Sequence, residues 1–391
     1  MYNILLHLFA PDKYEAIASY GHKEKIVAFF ESQIDLDLDN DANTDDKLKE
    51  IRKKCTEDKE TIDRLKKVSK EYSAENFHFY LPGIQELWAN EIGLGDAKNL
   101  ILHGAPGTGK TFQTQASIQK RLEFLAGQNA AKQYKLVQFH PSYSYEDFID
   151  GIKPAGINDN GNMKFELVNG VFKQMCIDAA KELEKNSENP KNFYFVADEI
   201  NRAELSRVFG ELLLCLEEDK RLNYDGKKWS GTKVKTQNSG LWNNSKHAVI
   251  VEKDEGYFGV PENLYFIGTM NDIDRSVDSF DMALRRRFTW KHYSCDYDVI
   301  GAHFGWGKNV DEYIEICKKL NNQITDKLNL GSSYELGHAY FMKIDNINKT
   351  QIEKLWNNHL EPLIREYLRA EFSPNEIDQK LKTLKESFKI A

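Results

Sequence analysis

The stretch that most constrains this chain is "NLILHGAPGTGKTFQT" at 99–114. An apolar run suited to a strand enters the turn Gly104-Ala105-Pro106-Gly107-Thr108-Gly109-Lys110-Thr111, and a helical pattern leaves it. That is G-x-x-x-x-G-K-[ST] in the strand-to-helix setting it requires. The glycines let successive backbone N–H groups turn inward on a phosphate, and the helix start adds positive dipole. Lys110 neutralises the outer phosphates and Thr111 offers its hydroxyl to Mg²⁺. Nothing in the loop reads a base, so GTP and ATP both remain open from these residues.

From about residue 95 to 295 short apolar runs alternate with helical stretches: "NLILHG", "KLVQF", "NFYFVA", "LYFIG" and "RFTW". Alternation of this kind predicts an α/β fold with a parallel five-stranded sheet and helices on both faces. Segments 151–170 and 222–262 read as hairpins or loops inserted into that core. In "NFYFVADEINRAELSRVFGELLLCLEE" a strand ends in Asp198-Glu199, at the carboxyl edge where open parallel sheets present side chains to ligands. Asp198 suits Mg²⁺, and Glu199 suits polarisation of an attacking water. Leu205, Val208, Phe209, Leu212, Leu213 and Leu216 form a core stripe, while Asn201 and Arg202 suit either a cap or a nucleotide or subunit contact.

A third strand ends in Thr269-Met270-Asn271 and places the Asn271 amide beside that water, the sensor position of ring NTPases. Beyond it, "DMALRRRF" carries Arg285, Arg286 and Arg287. Arginines that far along the fold are better placed to reach the nucleotide of a neighbouring subunit than their own, as a finger offsetting charge on the transferred phosphate. The plainer alternative is complementation of a helix dipole, a gain of about 0.3–1 kcal/mol.

Together "GAPGTGKT", "VADEINRAELSRVFGELL" and "GTMNDIDRSVDSFDMALRRRF" resemble the AAA+ motor subunit of modified-cytosine restriction systems, the McrB-like family. "VQFHPSYSYEDFIDGIKP" at 137–154 and "ELGHAYF" at 335–341 carry the likeness further, from about 78 to about 370. The family signature Met-Asn-Thr-Ala-Asp-Arg-Ser reads Met270-Asn271-Asp272-Ile273-Asp274-Arg275-Ser276 here, so Asn271, Asp274 and Arg275 match and the middle pair differs. The resemblance implies an AAA+ P-loop NTPase core over 78–300, a helical lid over 301–391, and a preceding helical region over 1–77 with an acidic linker. It implies GTP as the substrate ahead of ATP, a ring, hexameric in the family, and a separate McrC-like subunit that stimulates hydrolysis and supplies the nuclease, with DNA reached through the complex. The other reading is an ATP-dependent protein remodeller of the MoxR or dynein-like branches. Methylcytosine recognition is not carried over to 1–77, which is short, acidic and helical in pattern.

Composition agrees with a globular chain, 41% hydrophobic and 29% charged, and the net charge of −8 excludes a generally basic nucleic-acid coat. The five scattered cysteines show neither zinc nor disulfide spacing, which favours a reduced, cytoplasmic setting. The opening residues lack the pattern of a signal peptide, and no stretch suits a membrane span.

Several flanking features carry expectations of their own. Residues 1–34 read as helical and 47–72 as one charged amphipathic helix. The acids at 35–46 lack EF-hand spacing. Pro11-Asp12 with Glu57-Asp58-Lys59 resembles the parts of a nuclease metal site but lacks the strand pair that would frame one. The lysines of 222–250 with Trp229 and Trp242 suit either a gripping loop or an ordinary exposed hairpin. The tail reads as helical apart from a strand-like "HAYFM". Within it His338 suits either contact with the nucleotide or, the preferred reading, stabilisation of the lid, and Arg365 is the lid's choice for a second phosphate sensor.

Overall fold

All five apolar runs become strands of one parallel sheet: β1 (Asn99–Gly104), β2 (Tyr134–Gln138), β3 (Phe193–Asp198), β4 (Leu264–Asn271) and β5 (Thr289–Tyr293), in the order β5-β1-β4-β3-β2. The computed structural model describes residues 15, 17, 19–31, 33–34, 36–38, 42–89, 97–124, 130–157, 161–274, 280 and 282–389. β1, β3 and β4 are buried almost throughout because both faces of the sheet are covered, which is why they read as unbroken apolar runs. β2, at the edge, is largely exposed. The order decides where the chemistry falls. Gly104 sits in register with Asn271, and the neighbouring pair Gly268 and Ala197 aligns the end of β4 with that of β3.

One face of the sheet carries an aromatic core. Phe148 stacks on Phe172 and Phe209 at centroid distances of 4.7 and 5.3 Å, and Phe195 and Phe266 meet the same group edge-on. The expected leucine stripe is here, but its helix ends early. Leu205–Phe209 is α-helical and Gly210–Leu214 is a 3₁₀ turn, because Gly210 has φ +47° and any Cβ there would lie 2.8 Å from the Tyr145 ring. The helix that follows the glycine-rich loop, Lys110–Phe124, covers the other face through Ile118 and Leu122.

The N-terminal helices Tyr20–Glu31, Thr44–Glu57, Lys59–Val68 and Ile84–Ala89 share a cluster that ends in Phe124 of that same helix. Phe79, Leu81, Leu87 and Trp88 belong to it, so this packing unit runs past residue 77. The single helix expected over 47–72 is two helices. Asp58 breaks it, its carboxylate accepting from the backbone N–H and the hydroxyl of Thr61, both at 2.8 Å, to cap the second. That carboxylate is thereby committed to a cap, and Pro11 and Asp12 lie outside the described residues. In the acidic segment, Asn43 caps a helix and Asp45 pairs with buried Lys23 at 2.6 Å. Among the described residues no three or more His, Cys, Asp or Glu side chains gather as a metal-binding group, and no helix is long and apolar enough to cross a membrane.

The lid is a helical bundle from Tyr297–Phe304 through Pro374–Ser387, closed around Tyr313, Trp356, Leu360 and Phe388. Its "HAYFM" run is a short helix, His338–Phe341, with Phe341 buried in that bundle.

The insertion at 151–170 is an antiparallel hairpin, Asp150–Ile157 with Met163–Asn169. The segment at 222–262 is pinned beside it by a buried charge. Asp150 accepts from Lys173 Nζ at 2.5 Å, from Trp242 Nε1 at 3.0 Å and from Asn238 Nδ2 at 2.8 Å, and the Lys173 ammonium lies 3.8 Å from the Trp242 ring centroid. Trp229 is buried, and Lys233 and Lys235 are paired with Glu252 and Glu255. Trp242 is half-buried, whereas Lys227, Lys228, Lys235 and Lys246 are exposed, so the aromatic residues of this segment turn inward and most of its lysines face solvent, as in an ordinary exposed hairpin. Both partners of the Asp150–Lys173 pair are fully buried. Asp150→Ala is expected to cost about 3–5 kcal/mol of stability, because the ammonium is left without its carboxylate. Chemical denaturation measures this, and an unchanged midpoint would contradict it.

Candidate nucleotide site

The loop after β1 requires its glycines. Gly107 and Gly109 have φ near +77° and +76°, and a Cβ at Gly104 would meet the Tyr293 carbonyl oxygen at 2.1 Å. Within the loop Lys110 is buried. Its Nζ donates to the carbonyls of Ala105 at 2.7 Å and Gly104 at 3.2 Å and to Thr108 Oγ1 at 3.2 Å. Burial lowers its pKa to about 8, while the carboxylates of Asp272, Glu199, Asp198 and Asp274 act in the opposite direction. One buried ammonium thus faces four acids gathered at the carboxyl edge of the sheet.

Thr111 Oγ1 donates to Asp198 Oδ1 at 2.6 Å, and Thr269 Oγ1 to the same oxygen at 2.5 Å. Two hydroxyls and a carboxylate in contact are the oxygen donors a small hard cation prefers, so the residues fit Mg²⁺. Thr269 was legible in the sequence only as part of a strand end. Its position, one strand over from Asp198, gives it this contact.

Glu199 follows Asp198 in a left-handed conformation, φ +52° and ψ +43°, costing about 1–2 kcal/mol for a side chain of this kind. The turn swings its carboxylate away from Asp198 toward β4, where Asn271 Nδ2 donates to Glu199 Oε1 at 3.1 Å. Arg202 Nε donates to Glu199 Oε2 at 3.3 Å, and its NH2 reaches Asp274 Oδ2 at 3.5 Å. Burial raises the Glu199 pKa, Arg202 opposes this, and Asp274 and Asp198 add to it. The result is a carboxylate more basic than an exposed one, bonded to an amide on the adjacent strand. Asn201 donates to the Asn271 carbonyl at 3.5 Å. Asp272, whose backbone N–H donates to Gly104 O at 3.1 Å, has His103 Nδ1 3.0 Å from its carboxylate and so ties β1 to β4.

The structure thus brings together Gly104 through Thr111, Asp198, Glu199, Asn271 and Asp274. Arg275 lies outside the described residues. The three arginines separate. Arg285 lies over Trp290, 4.9 Å from its centroid. The Arg287 side chain, 10% exposed, donates to the Ala283 carbonyl, and its Nε lies 3.1 Å from Glu217 Oε1 without the alignment of a hydrogen bond. Arg286 is 69% exposed, with Glu217 no nearer than 3.9 Å. Arg365 is committed within the lid, to Asp378 at 2.8 Å and Glu361 at 3.3 Å.

Sequence pattern gave no sign that the lid would sit on the loop itself. Gly337 N–H donates to Pro106 O at 3.2 Å, and Ala339 N–H to Gly107 O at 3.0 Å. A Cβ at Gly337 would lie 2.1 Å from the Gly107 carbonyl carbon, and one at Gly107 would lie 2.8 Å from the Tyr340 ring.

A phosphate loop after β1, acids after β3, an amide on β4 between them and a helical lid define a P-loop protein of the AAA+ class. Comparison with known proteins agrees. Residues 99–288 match the AAA domain (dynein-related subfamily), and residues 312–373 match the McrB alpha-helical lid domain. The chain is an McrB-like AAA+ protein. It is 36% identical over 283 residues to the Type IV methyl-directed restriction enzyme EcoKMcrB subunit of Escherichia coli (strain K12), covering 69% of this chain and 54% of that one. It is 27% identical over 215 residues to the Type II restriction enzyme BsuMI component YdiS of Bacillus subtilis (strain 168), covering 50% of this chain and 57% of that one. The chain thus spans about half the length of the curated relatives it matches.

Because only a residue without Cβ fits between the lid and the loop, Gly337→Ala is expected to destabilise the chain by about 1–3 kcal/mol. Denaturant titration tests this. A variant as stable as the parent would mean that the lid is not seated as described.

Proposed function

We propose that the chain is the nucleotide-hydrolysing motor subunit of a restriction-type DNA defence complex. The observation that carries the reading is the Asn271 to Glu199 hydrogen bond at 3.1 Å, set beside Lys110, Thr111 and Asp198. Glu199, made more basic by burial, takes a proton from a water that the Asn271 amide orients, and Lys110 and the loop N–H groups hold the phosphates. Thr111 and Asp198 hold Mg²⁺, which when bound neutralises phosphate charge. GTP is the substrate implied by the family resemblance, with ATP the alternative. Asp274 and Arg202 keep Glu199 and Asn271 in place.

Of the arginines, Arg286 is assigned the finger because its guanidinium is largely exposed and held only by a loose 3.9 Å pairing with Glu217, whereas Arg287 is folded into its own subunit. A finger acts from a neighbour, so the working form is a ring of this chain, hexameric by analogy with the family. The relatives are components of restriction enzymes, which supports a separate McrC-like nuclease subunit as the partner and DNA as the target of the assembled complex.

Two experiments test this. Glu199→Gln is expected to bind triphosphate and lower turnover at least about a hundredfold, since the general base contributes about 10²–10⁴. Retained turnover would remove Glu199 from its role. Arg286→Ala is expected to lower turnover about 10³-fold or more. Mixing it with Lys110→Ala subunits, themselves unable to hydrolyse, should restore part of the rate, since each supplies what the other lacks. An absence of rescue at every mixing ratio would exclude Arg286 as a finger acting between subunits.

A further inference from the structure

The lid places one side chain at the phosphate loop that the reading so far leaves unused. His338 is only 4% exposed and opens the short helix that lies on the loop. A Cβ on Gly109 would lie 3.0 Å from His338 Nε2, so that nitrogen borders the loop's last glycine, directly before Lys110. The opposite nitrogen is occupied, because Nδ1 accepts from the backbone N–H of Asp296 at 3.2 Å. An imidazole that accepts at Nδ1 and is neutral carries its proton on Nε2. Burial lowers the His338 pKa, with Asp296 opposing, which keeps the ring neutral. Among the described residues the structure gives Nε2 no protein hydrogen-bond partner. The backbone fixes the ring's position as well as its tautomer, since Gly337 and Ala339 on either side donate to Pro106 and Gly107 of the loop.

We propose that His338 is a phosphate-binding residue, its Nε2–H donating from the lid to the outer phosphates of a nucleotide held by the loop Gly104–Thr111. This rests on the reading of that loop as a triphosphate site and extends it. Arg365, the lid residue whose charge best suits a phosphate sensor, is bound to Asp378 and Glu361 instead. A neutral N–H donor fits this place better than a cation would. Lys110 already supplies a cation to the loop, and a charged ring would have to give up the bond from Asp296. The lid's position and the occupancy of the phosphate site are then read by one side chain, so that binding draws the lid down and hydrolysis loosens it.

The test separates donation from packing. His338→Gln keeps a side-chain N–H donor, whereas His338→Met keeps comparable bulk without one. The affinity of each full-length variant for a slowly hydrolysed triphosphate analogue, GTPγS or ATPγS according to which the parent binds, is measured by fluorescence competition, with thermal melting alongside. Loss of a hydrogen bond to a charged group corresponds to about a tenfold to a hundredfold loss of affinity. His338→Met is expected to show that loss, and His338→Gln to recover most of it, with both melting close to the parent. Equal affinities of the Gln and Met variants would overturn the proposal and leave His338 as a packing residue. If the parent binds neither analogue, the nucleotide reading itself fails and this inference falls with it, whereas equal variants of a binding parent overturn this inference alone.

Discussion

The structure depends on one electrostatic arrangement: a buried lysine ammonium at the mouth of a glycine loop, facing four carboxylates collected from the ends of two neighbouring strands. A buried cation of this kind costs several kcal/mol to desolvate, and the carbonyls of Gly104 and Ala105 offset part of that. The acids repel one another as well as attracting Lys110, and burial together with Asp198 and Asp274 makes Glu199 more basic. On the proposed function, a magnesium triphosphate would bring anionic oxygens to the lysine and a divalent cation to the acids. Sheet order makes this possible. Only because β4 lies between β1 and β3 does Asn271 stand beside both Gly104 and Glu199, although in sequence Asn271 is far from both.

Around that centre the molecule commits its remaining polar groups to architecture. Asp150 and Lys173 lock the two insertions together beneath Trp242, and Asp58 and Asn43 cap helices. Arg365 holds two lid helices together and Arg287 folds back onto its own helix. These charged and polar residues make contacts that hold the fold together.

The sheet and the loop were legible because their signals are local. Alternating apolar runs mark strands, and G-x-x-x-x-G-K-[ST] marks a phosphate loop wherever a strand and helix flank it. Asp198, Glu199 and Asn271 could be read as strand ends. What sequence withheld depends on contacts between distant segments. Gly337 and Gly107 look like ordinary loop glycines until the lid backbone is found lying on the phosphate loop. Trp229 and Trp242 carry no local sign that the first is buried and the second packs half-buried against the core, so a gripping loop suited them equally well. "HAYFM" alternates like a strand but folds as a helix because its Phe341 packs into the lid bundle. The break at Asp58 was available as a capping signal, masked by the strong helical periodicity on both sides of it.

On the proposed function, the acids, the amide and the lysine at this sheet edge form a hydrolytic site completed by the arginine of an adjacent copy. Turnover of GTP and ATP by the purified chain, measured per subunit across a wide range of protein concentration, tests it most directly. The expected result is a per-subunit rate that climbs with concentration as rings assemble and then levels off, for at least one of the two nucleotides. A rate independent of concentration in a preparation shown to stay monomeric, or no hydrolysis of either nucleotide under assembled conditions, would contradict it.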